Sequence, residues 1–299
     1  MAPTLMCHET QEIGVERLGQ QESSRYSKIH GQRPGTVLDR HRDGRHIALQ
    51  ALDVPLDRAG IWDTQSRKLV WEPKDTVALG WTSGGDQIVA VTHCYRGSAR
   101  HPRQFLAIPE SEVGYELRLA SWPGLEPLAS CELHLAKGWL DWVGASPAGN
   151  RAAVRWINED RGGFILVEIN RTAIKQLDGA EYHTTPNNIS LPVFAPDGRN
   201  IVLACGRSDW WTTEEQEPLE GATHEVGHIA VYEMDLGPVR EERVRVTIPN
   251  GWSPADPESP EAHLLGDPRF IGPSTFAIGL PNGEERSFDI DALGRPQGE

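Results

Sequence analysis

Residues 224 to 228 read His224-Glu225-Val226-Gly227-His228, which fits the pattern H-E-x-x-H. In that pattern two histidines four apart on one helix face hold a zinc ion, and the glutamate between them activates a water. The chemistry requires a helix, with its period of 3.6 residues. The residues that follow, Ile229, Val231 and Tyr232, are β-branched or aromatic and suit a strand, whose period is 2. Glu241 or Glu242 would have to supply a third ligand, and no glycine and third histidine follow at the spacing of the extended zinc motif. Strand is therefore the leading reading of this stretch. A zinc metalloprotease site at His224, Glu225 and His228 stands third among the functional readings.

A second chemistry rests on carboxylates. Asp39 in VLDRH, Asp141 in WLDWV and Asp267 in LGDPRF each lie near the start of a strand-like run. Two acids flanking a glycosidic bond are what a glycoside hydrolase needs, one to protonate the leaving group and one to attack or to activate water. The same aspartates can instead accept hydrogen bonds from backbone amides where sheets meet. A third set is suited to binding. Tyr95, Arg96, Arg100, His101 and Arg103 form a local basic cluster, and Trp210 and Trp211 stand beside Glu214, Glu215 and Glu217, with Trp252 further on. Arginine forks onto carboxylate or phosphate, and tryptophan stacks on rings or sugars.

The elements that must position these residues repeat along the chain. LPVFAPDGRNIVLACG is a strand, a tight turn at Asp197-Gly198-Arg199 and a second strand, and VLDRHRDGRHIALQAL repeats the plan around Asp43-Gly44-Arg45. Weaker copies turn at Gly84-Gly85, at Ala148-Gly149-Asn150 and at Pro273-Ser274. Glycine and aspartate suit such turns because hairpins need positive φ or a side chain that bonds its own backbone. Two further strand-like runs follow each of the first four pairs, for example GIWDTQ with KLVWEP and HIAVYEM with RVRVTIP. The fifth unit has three runs and then the chain ends.

These spacings predict an all-β chain, a single five-bladed β-propeller domain of four-stranded antiparallel blades spanning residues 1–299. The blades fall at roughly 36–75, 76–136, 137–180, 188–249 and 263–292. The strand missing from the last blade is assigned to EIGVERLG, residues 12–19, which would close the ring and remove two open sheet edges. A divergent sixth blade in residues 1–35 is the alternative.

FAPDGRNIVLACG with HIAVYEMDLG resembles the repeat of the TolB-like propellers, and IWDTQSRKLVWEP resembles the outer strands of a WD40 blade. The resemblance touches all five units and is strong in two. No unit carries the Gly-His of a full WD40 repeat. What the resemblance implies is a fold, since propellers host many unrelated activities.

Composition narrows the partners. A formal charge of −14 with no basic stripe repels phosphate backbones and excludes nucleic acid as an expected partner. No apolar run approaches the ~18 residues that span a bilayer, and no basic-then-apolar leader opens the chain, so the expectation is a soluble cytoplasmic protein, monomeric and off the membrane. Cys7, Cys94, Cys131 and Cys205 lack C-x-x-C spacing and are read as reduced thiols. No cofactor is expected.

In a propeller the a–b and c–d turns share one face, and the b–c loops and inter-blade connections share the other. The long insertions here, at about residues 91–114 and 205–227 and in the connection PNGWSPADPESPEAHLLGD, are all of the second kind. The leading expectation is a non-catalytic propeller that binds a protein or a small anionic or aromatic ligand through Tyr95, Arg96, Arg100, His101, Arg103, Trp210, Trp211 and Trp252. A hydrolase using Asp39, Asp141 and Asp267 at the channel is the alternative.

Overall fold

The computed structural model describes residues 33–52, 58–95, 113–134, 139–157, 161–170, 172–183, 189–206, 223–234, 237–247 and 265–294. Consecutive strands pair with their neighbours in antiparallel sheets. The first sheet has the order β1 (Arg33–Arg40), β2 (His46–Leu52), β3 (Arg58–Asp63), β4 (Lys68–Trp71). The second runs β5 (Thr76–Trp81), β6 (Gln87–Tyr95), β7 (Val113–Ser121), β8 (Pro127–Leu133). The third is built from β9 (Trp139–Ala145), β10 (Arg151–Ile157), β11 (Arg161–Asn170), β12 (Ala173–Gln176) and β13 (Ala180–His183). The fourth holds β14 (Val193–Phe194), β15 (Asn200–Gly206), β16 (Thr223–Glu233) and β17 (Gly237–Thr247). The fifth holds β18 (Arg269–Phe270), β19 (Thr275–Gly279) and β20 (Glu285–Asp289), and a three-residue 3₁₀ turn, Ile290–Ala292, follows it. Among the described residues no helix is long and apolar enough to cross a membrane. The segment 12–19 lies outside the described residues.

Four of the first hairpins are built alike. In each, a residue before the turn pairs with one five positions on: His41 N–H with His46 O (2.9 Å), Thr82 with Gln87 (3.0 Å), Ser146 with Arg151 (2.8 Å) and Ala195 with Asn200 (2.8 Å). The glycine between them has positive φ in every case, +69° at Gly44, +68° at Gly85, +71° at Gly149 and +71° at Gly198. An L side chain is disfavoured there, which is why glycine recurs at this one register position. The β18–β19 hairpin lacks that glycine and closes instead through Ile271 N–H to Thr275 O (2.9 Å).

Burial differs sharply between strands. β5 is buried at all six positions, whereas the edge strands β4 and β12 alternate exposed and half-buried. A strand covered on both faces reads as a continuous apolar run, and one at a wet edge alternates.

The chain divides into two compact units, residues 1–144 with 170–175 and residues 145–169 with 176–299. In the first, Ala48, Ala59 and Ile61 of the first sheet pack on Leu79, Trp81, Ile88 and Ala90 of the second. In the other, Val202, Ile229, Val231 and Val244 of the fourth sheet pack on Phe276, Ile278 and Phe288 of the fifth. Small residues on one face let the next sheet approach, and the pair excludes water where neither sheet could do so alone.

The third sheet departs from a plain four-strand plan. The edge beside β11 is filled by two segments, β12 and then β13, which pairs with the start of β11 from Phe164↔Ala180 to Arg161↔His183. The backbones pass so close at the join that a Cβ on Gly179 would stand 1.8 Å from Phe164 O, and one on Gly163 2.0 Å from Ala180 O. Only glycine fits at either place.

Candidate functional site

The His-Glu-Val-Gly-His stretch lies inside β16, paired along its length with β17 and, at Gly227 and His228, with β15 as well. His228 faces Cys205 of β15 and Arg243 of β17, and His224 faces Val246. The pairing with β17 shifts register between Glu225 and Gly227, a bulge. Gly227 carries φ +153°, and a Cβ there would sit 2.2 Å from Cys205 O. The glycine of the motif is thus explained by sheet geometry. Glu225 pairs with Arg243 at 3.3 Å, and burial pushes the His228 imidazole below its ordinary range. Cys205, wholly buried opposite His228, has its thiol pushed up by the same burial and is chemically quiet.

Two of the three candidate acids are held by main-chain donors. Asp39 accepts from Trp81 N–H at 2.7 Å through Oδ2 and from Arg40 N–H at 2.7 Å through Oδ1. Burial raises its carboxyl above the usual range, against those two amides, which favour the charged form. Asp267 accepts from Leu191 N–H at 2.7 Å, so it ties the start of the fifth sheet to the segment leading into the fourth. Asp141 is half-buried in β9 and also has partners of its own.

Tyr95 is the last residue of β6. Its side chain, and the whole of Arg96, Arg100, His101, Arg103, Trp210, Trp211 and Trp252, lie outside the described residues. Their attachment points are nonetheless clear. β6 ends at Tyr95 and β7 begins at Val113, β15 ends at Gly206 and β16 begins at Thr223, and β17 ends at Thr247 ahead of β18 at Arg269. In an antiparallel sheet the second-to-third connection and the exit of the fourth strand leave from one end, opposite the tight first hairpin. All three long connections therefore leave from that same end of their own sheets.

The structure also brings together a cluster that motif reading passed over. His41, Asp43 and His46 flank the first tight turn, and their nearest ligand atoms all lie within 4.8 Å of one another. His41 Nδ1 is 2.9 Å and His46 Nδ1 2.7 Å from Asp43 Oδ2. Asp43 Oδ1 accepts from the amides of Arg45 (2.8 Å) and His46 (3.0 Å). Partial burial acts to raise the Asp43 carboxyl, but hydrogen bonds from the Arg45 and His46 amides and from the His46 and His41 rings outweigh it, and the group is held well below the usual carboxylate range.

The ring of His41 is buried, and its Nε2 donates to Gly85 O at 2.9 Å, in the matching turn of the second sheet. Trp81 and Trp122 wall the cluster, with ring centroids 5.3 Å and 5.9 Å from His41 and Trp122 4.9 Å from His46. A sequence signal existed, H-x-D-x-x-H across a D-G turn. Residues one and six of such a hairpin are cross-strand neighbours, so their side chains share a face.

No protein-family model matches the chain, and no curated protein matches it. Among solved structures it is similar to hydrazine synthase of Kuenenia stuttgartiensis, with a TM-score of 0.53 at 12% identity, over 86% of this chain and 65% of that one. It is also similar to TolB from Acinetobacter baumannii (TM-score 0.43, 12% identity, 85% and 54% covered) and to the β-propeller domain of the trilobed protease from Pyrococcus furiosus (0.41, 12%, 87% and 68%). The chain spans less than two thirds of the first two proteins. Identities this low speak to fold alone. The sheets themselves define the class, an all-β chain of successive antiparallel sheets, most of them four-stranded, the unit from which β-propellers are made.

Proposed function

We propose that the chain is a non-catalytic binding propeller of five blades in a single domain, its last blade completed by residues 12–19. It recognises a protein partner or a small anionic or aromatic ligand through its long connections. The observation that carries this reading is the position of those connections, all leaving the end of the sheet opposite the glycine turns. Loops held on a rigid sheet are where binding groups concentrate, and these carry Arg96, Arg100, Arg103, Trp210, Trp211 and Trp252. The hydrolase alternative is weakened because Asp39 and Asp267 already accept main-chain hydrogen bonds. An acid so engaged is poorly placed to trade protons with a substrate.

The test is affinity capture with the full chain and two variants, Trp210→Ala with Trp211→Ala, and Arg96→Ala with Arg100→Ala and Arg103→Ala. A species retained by the parent and lost by a variant whose thermal unfolding is unchanged supports the reading. Equal retention by all three, or a large drop in unfolding temperature in the tryptophan variant, overturns it, the second because it makes those tryptophans part of the core.

A further inference from the structure

We propose that His41, Asp43 and His46 form a binding site for one divalent transition-metal ion, with zinc the best fit. Gly85 O can only accept, so the 2.9 Å contact fixes a proton on His41 Nε2. The other ring nitrogen, Nδ1, faces the carboxylate and stands 2.9 Å from Asp43 Oδ2. The Asp43 amide also points at Nδ1, at a long 3.3 Å. His46 Nδ1 lies 2.7 Å from the same oxygen, so two ring nitrogens and one carboxylate oxygen converge within 4.8 Å of one another, close enough for one cation to be held among them.

The surroundings are those of a metal site. A ligating histidine characteristically donates its other ring N–H to a backbone carbonyl or carboxylate, which fixes tautomer and orientation, and His41 does this to Gly85 O. Asp43 keeps Oδ1 on two amides and turns Oδ2 toward both rings, so the carboxylate is oriented before any ion arrives. Trp81 and Trp122 shield the cluster from water on the His41 side. Two imidazoles and one carboxylate suit zinc and its neighbours, whereas calcium and magnesium favour all-oxygen sets.

Metal–ligand bonds of ~2.0–2.1 Å at tetrahedral angles place ligand atoms about 3.3 Å apart. The rings must therefore each back away from Oδ2 by roughly half an ångström, and His46, the more exposed of the two, has room to do so. Three protein ligands leave a fourth position for water or for a donor from outside the chain. Because His41 also bonds Gly85, the ion would brace the first turn of one sheet against that of the next.

The test uses the full chain freed of metal by chelator and dialysis, titrated with Zn²⁺ by calorimetry and with Co²⁺ by visible absorption. The expected result is uptake of one equivalent, the intense visible bands of four-coordinate cobalt, and a rise in unfolding temperature. His46→Gln should weaken binding at least ~100-fold and His46→Cys should restore it, since thiolate replaces imidazole as a ligand. His224→Gln should leave the affinity unchanged. Absence of stoichiometric uptake by the parent chain overturns the proposal, as does full affinity in folded His46→Gln.

Discussion

Replacing Gly227 with alanine separates the two structures that residues 224–228 could adopt, because the two predict opposite signs. In β16 the new methyl would lie 2.2 Å from Cys205 O, 2.9 Å from Gly206 Cα and 3.0 Å from Leu265 Cδ1, on a residue with φ +153°. The first two contacts are with backbone, which cannot rotate away. Strained backbone at such φ costs about 1–3 kcal/mol, and overpacking a filled site costs about 1–3 kcal/mol more. The sum, about 2–6 kcal/mol, is a large share of the roughly 5–15 kcal/mol that holds a domain folded. In an exposed zinc-binding helix the same change would stabilise by about 1 kcal/mol, because glycine is a poor helix former. Urea unfolding followed by tryptophan fluorescence measures the difference, with Gly279→Ala as control, since nothing lies within 4 Å of a Cβ at that position. The expected outcome is a midpoint lowered by about 1 M or more for Gly227→Ala and little change for the control. A midpoint that stays put or rises for Gly227→Ala would refute the sheet argument.

Asp39→Ala should cost about 1.5–3 kcal/mol, the usual worth of a hydrogen bond to a charged acceptor, because Trp81 N–H loses its partner. Asp39→Asn keeps an acceptor and should cost clearly less; equal losses in denaturant titrations would show that the amide bond is not what the residue contributes. Burial pushes His93 down to about 4 from 6.5, only partly opposed by Asp75. As pH falls through that window the unfolded chain takes the proton first, so stability present above about pH 6.5 declines toward pH 4 by on the order of 3 kcal/mol. Unfolding curves across the range should be flatter for His93→Gln, and an unchanged slope would remove His93 as the cause.

Much of this architecture was legible without coordinates, because it is written in short-range chemistry. A hairpin that needs positive φ must carry glycine at one register position, and the four turns at Gly44, Gly85, Gly149 and Gly198 are visible as such in the sequence. The β-branched and aromatic run after His228 marks a strand for the same local reason. What the letters could not decide is which distant groups meet. The Asp39 carboxylate finds an amide 42 positions away, Asp267 one 76 positions away, and His41 a carbonyl 44 positions away. The second edge segment of the third sheet and the bulge at Gly227 arise likewise from close passage of neighbouring strands. Backbone conformation follows from each residue's own sterics, whereas convergence of side chains depends on which sheet faces pack together, and that is settled by burial summed over the whole chain.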